Sequence, residues 1–227
     1  MKKPTVDYRG FSFSKLSDPR FSHLLLLSGW IVYFILFFIT ETFIPESACH
    51  VIYSPLDDKI PFLEGFVIPY VFWYLLIVTT LLYFALYNTD SFRKFQTFII
   101  ITQALAMLCY IFYPSVQYLR PEVYPRDNFL TDVVALIQTF DTPTGVCPSL
   151  HVAYSFGIFS AWAKEKGVSI LWKVFVFVSV VLICLSTMFI KQHSVVDFYA
   201  ALPVVLIAEI AVYGKWWIRK IRHENKP

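Results

Sequence analysis

Five ionisable residues, at three separated places in the chain, are of the types that handle phosphorus chemistry: Arg120, His151, Lys191, His193 and Asp197. His193 and Asp197 stand four apart, so they share one face of a helix. A carboxylate at that spacing accepts a hydrogen bond from one imidazole nitrogen. That fixes the tautomer and leaves the other nitrogen as a nucleophile. Ser149 and His151 open another apolar stretch, and a helix start offers free backbone N–H groups to an anion. Arg120 and Lys191 add positive charge without adding acid, and Ser186 lies seven residues before His193. The set suits a phosphate group. The chemistry expected is a covalent phosphohistidine at His193, with His151 protonating the leaving oxygen. His193, His151 and Asp197 are the catalytic candidates. Arg120, Ser149, Lys191 and Ser186 are the phosphate-binding ones, and neither a metal nor another cofactor is called for.

These residues must be positioned by a bilayer protein. Of 227 residues, 57% are hydrophobic and 15% charged, and the mean hydropathy is +0.60. A soluble domain carries closer to ~25% charged residues. The net charge of +3 is too small to argue for nucleic acid. An aromatic content of 19% fits a lipid-facing surface with interfacial Trp and Tyr. A spanning helix needs about 20 apolar residues, and six stretches are candidates. They run over about His23–Phe43, Phe66–Tyr87, Phe95–Tyr113, Ser149–Ala163, Ser169–Ile190 and Val195–Ile218. The fourth is short and reads as tilted or partly sunk. The first is too long for a signal-peptide core and no cleavage site follows it, so it is expected to be retained. The expected fold is all-α, a six-helix transmembrane bundle over 23–218, with an N-terminal arm over 1–22 and a tail over 219–227.

Charge sets the orientation. With the N-terminus inside, fifteen of the nineteen Lys and Arg residues fall in cytoplasmic pieces. The outer pieces hold Lys59, Arg120, Arg126 and Lys191. Positive charge is retained on the cytoplasmic side, so both termini belong inside and the ionisable set faces out. The loop from Pro114 to Pro148 is long enough to be functional, and Leu130–Phe140 reads as a short interfacial helix.

Arg120-Pro121, then Pro148-Ser149-Leu150-His151, then Ser186 with His193 and Asp197 beyond it, resemble the three signature blocks of the type 2 phosphatidic acid phosphatase superfamily, the lipid phosphate phosphatases. The resemblance covers the chain from about the third span to the sixth. It implies six helices, a metal-independent extracytoplasmic site in the cell membrane and a lipid substrate. Three places differ from the family pattern: Tyr113 replaces a Lys, Leu150 a Gly and Thr187 an Arg. The Pro-Ser-Leu-His block is similar to the inositol-phosphorylceramide-synthase-like branch, which moves a phospho-headgroup between lipids. Fewer cations imply a phosphodiester in preference to a phosphomonoester dianion. An undecaprenyl-diphosphate-type phosphatase is an alternative within the same resemblance.

Two other classes stay open from the residues themselves. His151, His193 and Asp197 could form a two-His-one-carboxylate metal set, which Arg120 and Lys191 would oppose. A non-catalytic lipid or anion carrier could use the same cations. His23, His50 and His223 read as interfacial and Arg126 as snorkelling. Cys109 and Cys184 read as packing residues, while Cys49 and Cys147 both face outward and allow a disulfide. Glu209 must face the bundle interior or pair with something, without an evident partner.

Overall fold

The apolar windows fold as helices, and short polar side chains mark where they begin. The computed structural model describes residues 4–224, with side chains as far as residue 218. His223 and the charged side chains of Lys2, Lys3, Arg219, Lys220, Arg222 and Lys226 lie outside the described residues. In chain order the helices are α1 (Ser28–Phe43), α2 (Val67–Tyr87), α3 (Thr89–Phe112), α4 (Phe129–Phe140), α5 (Leu150–Lys164), α6 (Ile170–Phe189) and α7 (Val195–Glu224). A 3-10 turn over Ser22–Leu27 leads into α1. Asn88, Asn128, Ser149 and Ser169 each accept a backbone N–H in the first turn of α3, α4, α5 and α6, which satisfies donors that a helix start leaves open.

Five helical stretches are long and apolar enough to cross a membrane: Ser22–Phe43, Glu64–Tyr87, Thr89–Phe112, Ile170–Phe189 and Val195–Ile218. The expected fourth span is α5, whose 15 residues reach only about 22 Å at 1.5 Å per residue. Nine of those 15 are buried, so α5 lies inside the bundle, where it packs on α2, α3, α6 and α7. Gly157 lets α3 come close. A Cβ there would stand 2.7 Å from two ring atoms of the fully buried Phe98.

Side-chain contacts define two poles. At one, the N-terminal arm meets the end of α2 through Thr5 N–H to the Leu86 carbonyl (2.7 Å) and Tyr8 O–H to the Ala85 carbonyl (2.8 Å). Arg93 donates to Ser22 Oγ (2.9 Å), and the Glu165 carboxylate accepts from Asn88 and Ser91. Glu209 finds its partners toward this pole: Lys164 Nζ at 2.7 Å, the Ser160 hydroxyl at 2.5 Å and the Trp217 indole at 2.6 Å. At the other pole the loops after α1 and α3 join through a two-residue parallel pairing of β1 (His50–Val51) with β2 (Ser115–Val116). Arg126 does not snorkel. It grips Glu64 at 2.6 Å and tethers the loop before α4 to the start of α2.

Candidate active site

The turn between α6 and α7 is built by hydrogen bonds that the sequence can supply only once folded. Helix α6 ends with Lys191 in the left-handed region, φ 58°, the backbone state that closes many helix C-termini. The amides of Gln192 and His193 then both return to the Thr187 carbonyl, at 2.9 and 3.0 Å. Directly after it, Ser194-x-x-Asp197 forms a capping box. The Ser194 N–H donates to Asp197 Oδ2 at 3.0 Å, and the Val196 N–H donates to Ser194 Oγ at 3.1 Å.

The same Asp197 oxygen accepts from His193 Nδ1–H at 3.0 Å. Asp197 is fully buried, so the carboxylate is fixed by the cap before it orients the imidazole. Nε2 of His193 is the nitrogen left for chemistry. Ser149 N–H donates to the Asp197 carbonyl at 3.2 Å, which ties the start of α5 to the start of α7. His151 therefore arrives beside His193, with ring centroids 5.7 Å apart. Its ring packs on Tyr70 (4.7 Å) and Trp73 (4.4 Å), and its enclosed Nε2 has no partner.

Both imidazoles line a cavity of about 490 Å³. Its polar end holds His151, His193, Gln192, Asp141 and Thr142. Below that, Trp30, Tyr33, Phe34 and Phe37 of α1 face Trp73, Tyr74, Ile77 and Leu81 of α2. The wall from Leu27 to Phe37 covers about 15 Å of helix. Helix α1 packs on α3 rather than on α2. Phe34 of α1 and Tyr74 of α2 both line the cavity and are both exposed, which puts its open side between α1 and α2.

The remaining expected site residues stand elsewhere. Arg120 donates to the carbonyls of Gln138 (3.0 Å) and Thr142 (3.2 Å), closing the loop after α4. Burial pulls its guanidinium below the usual value, although Asp141 opposes the shift. Lys191 Nζ donates to the carbonyls of Asp57 (2.7 Å) and Ile60 (2.5 Å), and burial lowers it as well. The hydroxyl of Ser186 is bonded within its own helix, to the Ile183 carbonyl at 2.6 Å. Ser149 acts as a cap, fully buried. Among the described residues no Lys or Arg lines the cavity. Of the positions that differ from the family pattern, Tyr113 stacks on His50 (4.0 Å) and Thr187 is buried with its hydroxyl on the Cys184 carbonyl.

Four positioning residues were not singled out in the sequence. Asp57, buried in the loop after α1, accepts from Ser194 Oγ (2.6 Å) and from the Val195 N–H (2.8 Å), so it caps α7 from outside. Gln138 donates to the Ile190 carbonyl and Gln117 to the Lys191 carbonyl. Asp141, at the end of α4, accepts from Gln192 Nε2 at 2.8 Å. The Ser-x-x-Asp box was a readable signal for Asp197. Nothing local flags Asp57, whose partners lie more than 130 residues away.

All four cysteines are free thiols. Burial and the neighbouring Asp197 push the Cys147 thiol up to about 12. No group of three His, Cys, Asp or Glu residues among the described residues is arranged to hold a metal ion, and His193 Nδ1 is already engaged by Asp197. Compared with known proteins, the chain matches no family model, no curated protein and no solved structure.

Proposed function

We propose that the chain is a lipid phosphatase or phospho-headgroup transferase of the membrane, working through a phosphohistidine at His193. The observation that carries this reading is the pairing at one cavity end of His193, oriented by a buried Asp197, with His151 at 5.7 Å. The apolar slot open to the side between α1 and α2 supports a lipid substrate, since a chain entering from the bilayer keeps its contact with apolar surface. Two of the three sequence blocks that resemble the lipid phosphate phosphatases, those ending in His151 and in Asp197, are carried by the elements that meet at this cavity.

In the first step Nε2 of His193 attacks phosphorus while Nδ1–H stays on Asp197. The N–P bond forms, the bond from phosphorus to the lipid oxygen breaks, and His151 gives that oxygen its proton. The arriving phosphate anion beside the second ring favours the imidazolium that this transfer needs. In the second step water or an acceptor alcohol attacks phosphorus, its proton passes to His151, and the N–P bond breaks. The first-turn amides of Leu150 and His151, which have no intrahelical acceptor, are the donors to the phosphoryl oxygens.

In this reading α5 is the fourth of six spans, sunk below the outer surface because it is short. Both termini are cytoplasmic, the site faces out, and α4 lies at the outer interface. The test is a panel of lipid phosphates and phosphodiesters assayed in detergent with chelator present. Wild type should turn over at least one of them and His193→Ala none. Turnover that survives in His193→Ala, or that chelator abolishes, contradicts the proposal.

A further inference from the structure

We propose that the polar end of the cavity is a site for a cationic headgroup, so that the substrate is a phosphodiester lipid bearing an ammonium group, of the choline or ethanolamine kind. The proposal rests on the phosphoryl-transfer reading above for its phosphate position, and on independent observations for its cation. Asp141 lines the cavity, accepts from the Gln192 amide at 2.8 Å and feels His193, Arg120 and the Tyr70 hydroxyl, yet has no ion pair within 4.0 Å among the described residues. A half-buried carboxylate with no ion pair gains further from an arriving cation. It also follows directly on α4, where the helix dipole is negative and favours a cation.

A second carboxylate stands behind the cavity-lining Thr142 and Thr144. Glu41, from the end of α1, accepts from the hydroxyls of Thr142 and Thr144, and no cation pairs with it among the described residues. The cavity wall below Asp141 carries Trp30, Tyr33, Trp73 and Tyr74, whose ring faces attract a cation most strongly where water is excluded. The cations expected to hold a dianion are elsewhere: Arg120 and Lys191 are each bound to two carbonyls. This end of the cavity would repel a headgroup that adds negative charge. Gln192 connects the two functions, because it donates to Asp141 and precedes His193 in the chain. An ammonium group separated from its phosphorus by one oxygen and two carbons can therefore sit at Asp141 while the phosphorus meets His193.

The experiment compares short-chain phosphatidylcholine, phosphatidylethanolamine, phosphatidylglycerol and phosphatidic acid, by kcat/KM and by titration of tryptophan fluorescence. Wild type, Asp141→Asn and Glu41→Gln are used, since both variants keep an oxygen to accept the existing hydrogen bonds. The expected result is a preference for the two ammonium lipids over phosphatidylglycerol of about tenfold or more. It should collapse toward unity in Asp141→Asn and shrink less in Glu41→Gln, with the thermal midpoint held. Equal or better use of phosphatidylglycerol, or a preference that Asp141→Asn leaves unchanged, overturns the cation site and leaves phosphoryl transfer standing. If no lipid is turned over, binding decides. Selective ammonium-lipid binding that depends on Asp141 sustains the site and removes the enzymatic reading, and unselective binding overturns the site.

Discussion

One oxygen of Asp197 serves both the His193 ring and the Ser194 amide, so the group that orients the nucleophile is itself held by the backbone. Asp197→Asn should keep the fold and lower kcat by roughly 10³, because an amide no longer enforces the tautomer; the pair of measurements is kcat and the thermal midpoint. His151→Ala should depend on the leaving group, with alkyl phosphates losing most and activated aryl phosphates least. Equal losses would rule His151 out as the general acid. Asp141 adds a pH signature. Burial pushes its carboxyl above the usual range, against the pull of His193 and Arg120 and with a push from Glu41. Tyr33, Tyr70 and Tyr74 complete the titratable groups coupled to it. It is charged above that raised value and neutral below it. The KM for an ammonium lipid, relative to phosphatidylglycerol, should therefore rise as pH falls through it, and Asp141→Asn should remove the dependence. His193, Asp197 and His151 were legible from residue type and block order, although His193 stands in the turn before α7 and meets Asp197 through the cap, not on the shared helix face that their spacing suggested. Arg120 and Lys191 were misplaced because a sequence shows that a cation exists but not which carbonyls it will bind.

Helix starts were legible where Asn or Ser preceded an apolar run. The third helix begins at Thr89 rather than near Phe95, since the cap at Asn88 recruits a polar first turn that a search for apolar residues passes over. The turn that carries His193 was legible in its bounds, between Ile190 and Val195, but its left-handed residue was not, because it is Lys191 rather than the usual glycine. Lys191→Ala keeps the backbone strain and loses the tether to Asp57 and Ile60, whereas Lys191→Gly relieves the strain. The glycine variant should thus be the more stable of the two by about 1 kcal/mol, read from thermal unfolding in detergent. Both should lose kcat alike through a looser loop, and neither should gain or lose preference between anionic substrates. Gly157→Ala should destabilise by about 1–3 kcal/mol, since the buried Phe98 ring has to move.

Across the molecule, among the described residues, the basic N-terminal arm, the start of α3 with Arg93 and the end of α5 with Lys164 gather at the pole opposite the cavity's polar end, the arrangement that retention of positive charge on the cytoplasmic side favours. In a background lacking the native cysteines, a cysteine at the exposed Asp127 should react with a membrane-impermeant reagent on intact cells, and one at the exposed Lys166 should not. Labelling of both, or of Lys166→Cys alone, would refute the outward site. Hydropathy made the bundle legible, but not the gap between α1 and α2, which depends on α1 packing against α3 instead. That gap and the imidazole pair at its end make one claim together, that a lipid phosphorus reaches His193 and bonds to it. The direct measurement is rapid acid-free quenching of a lipid substrate labelled at phosphorus, followed by peptide mapping. The account predicts an acid-labile, base-stable label on His193 that is absent from His193→Ala. A label on any other residue, or turnover with no covalent label in any variant, would contradict it.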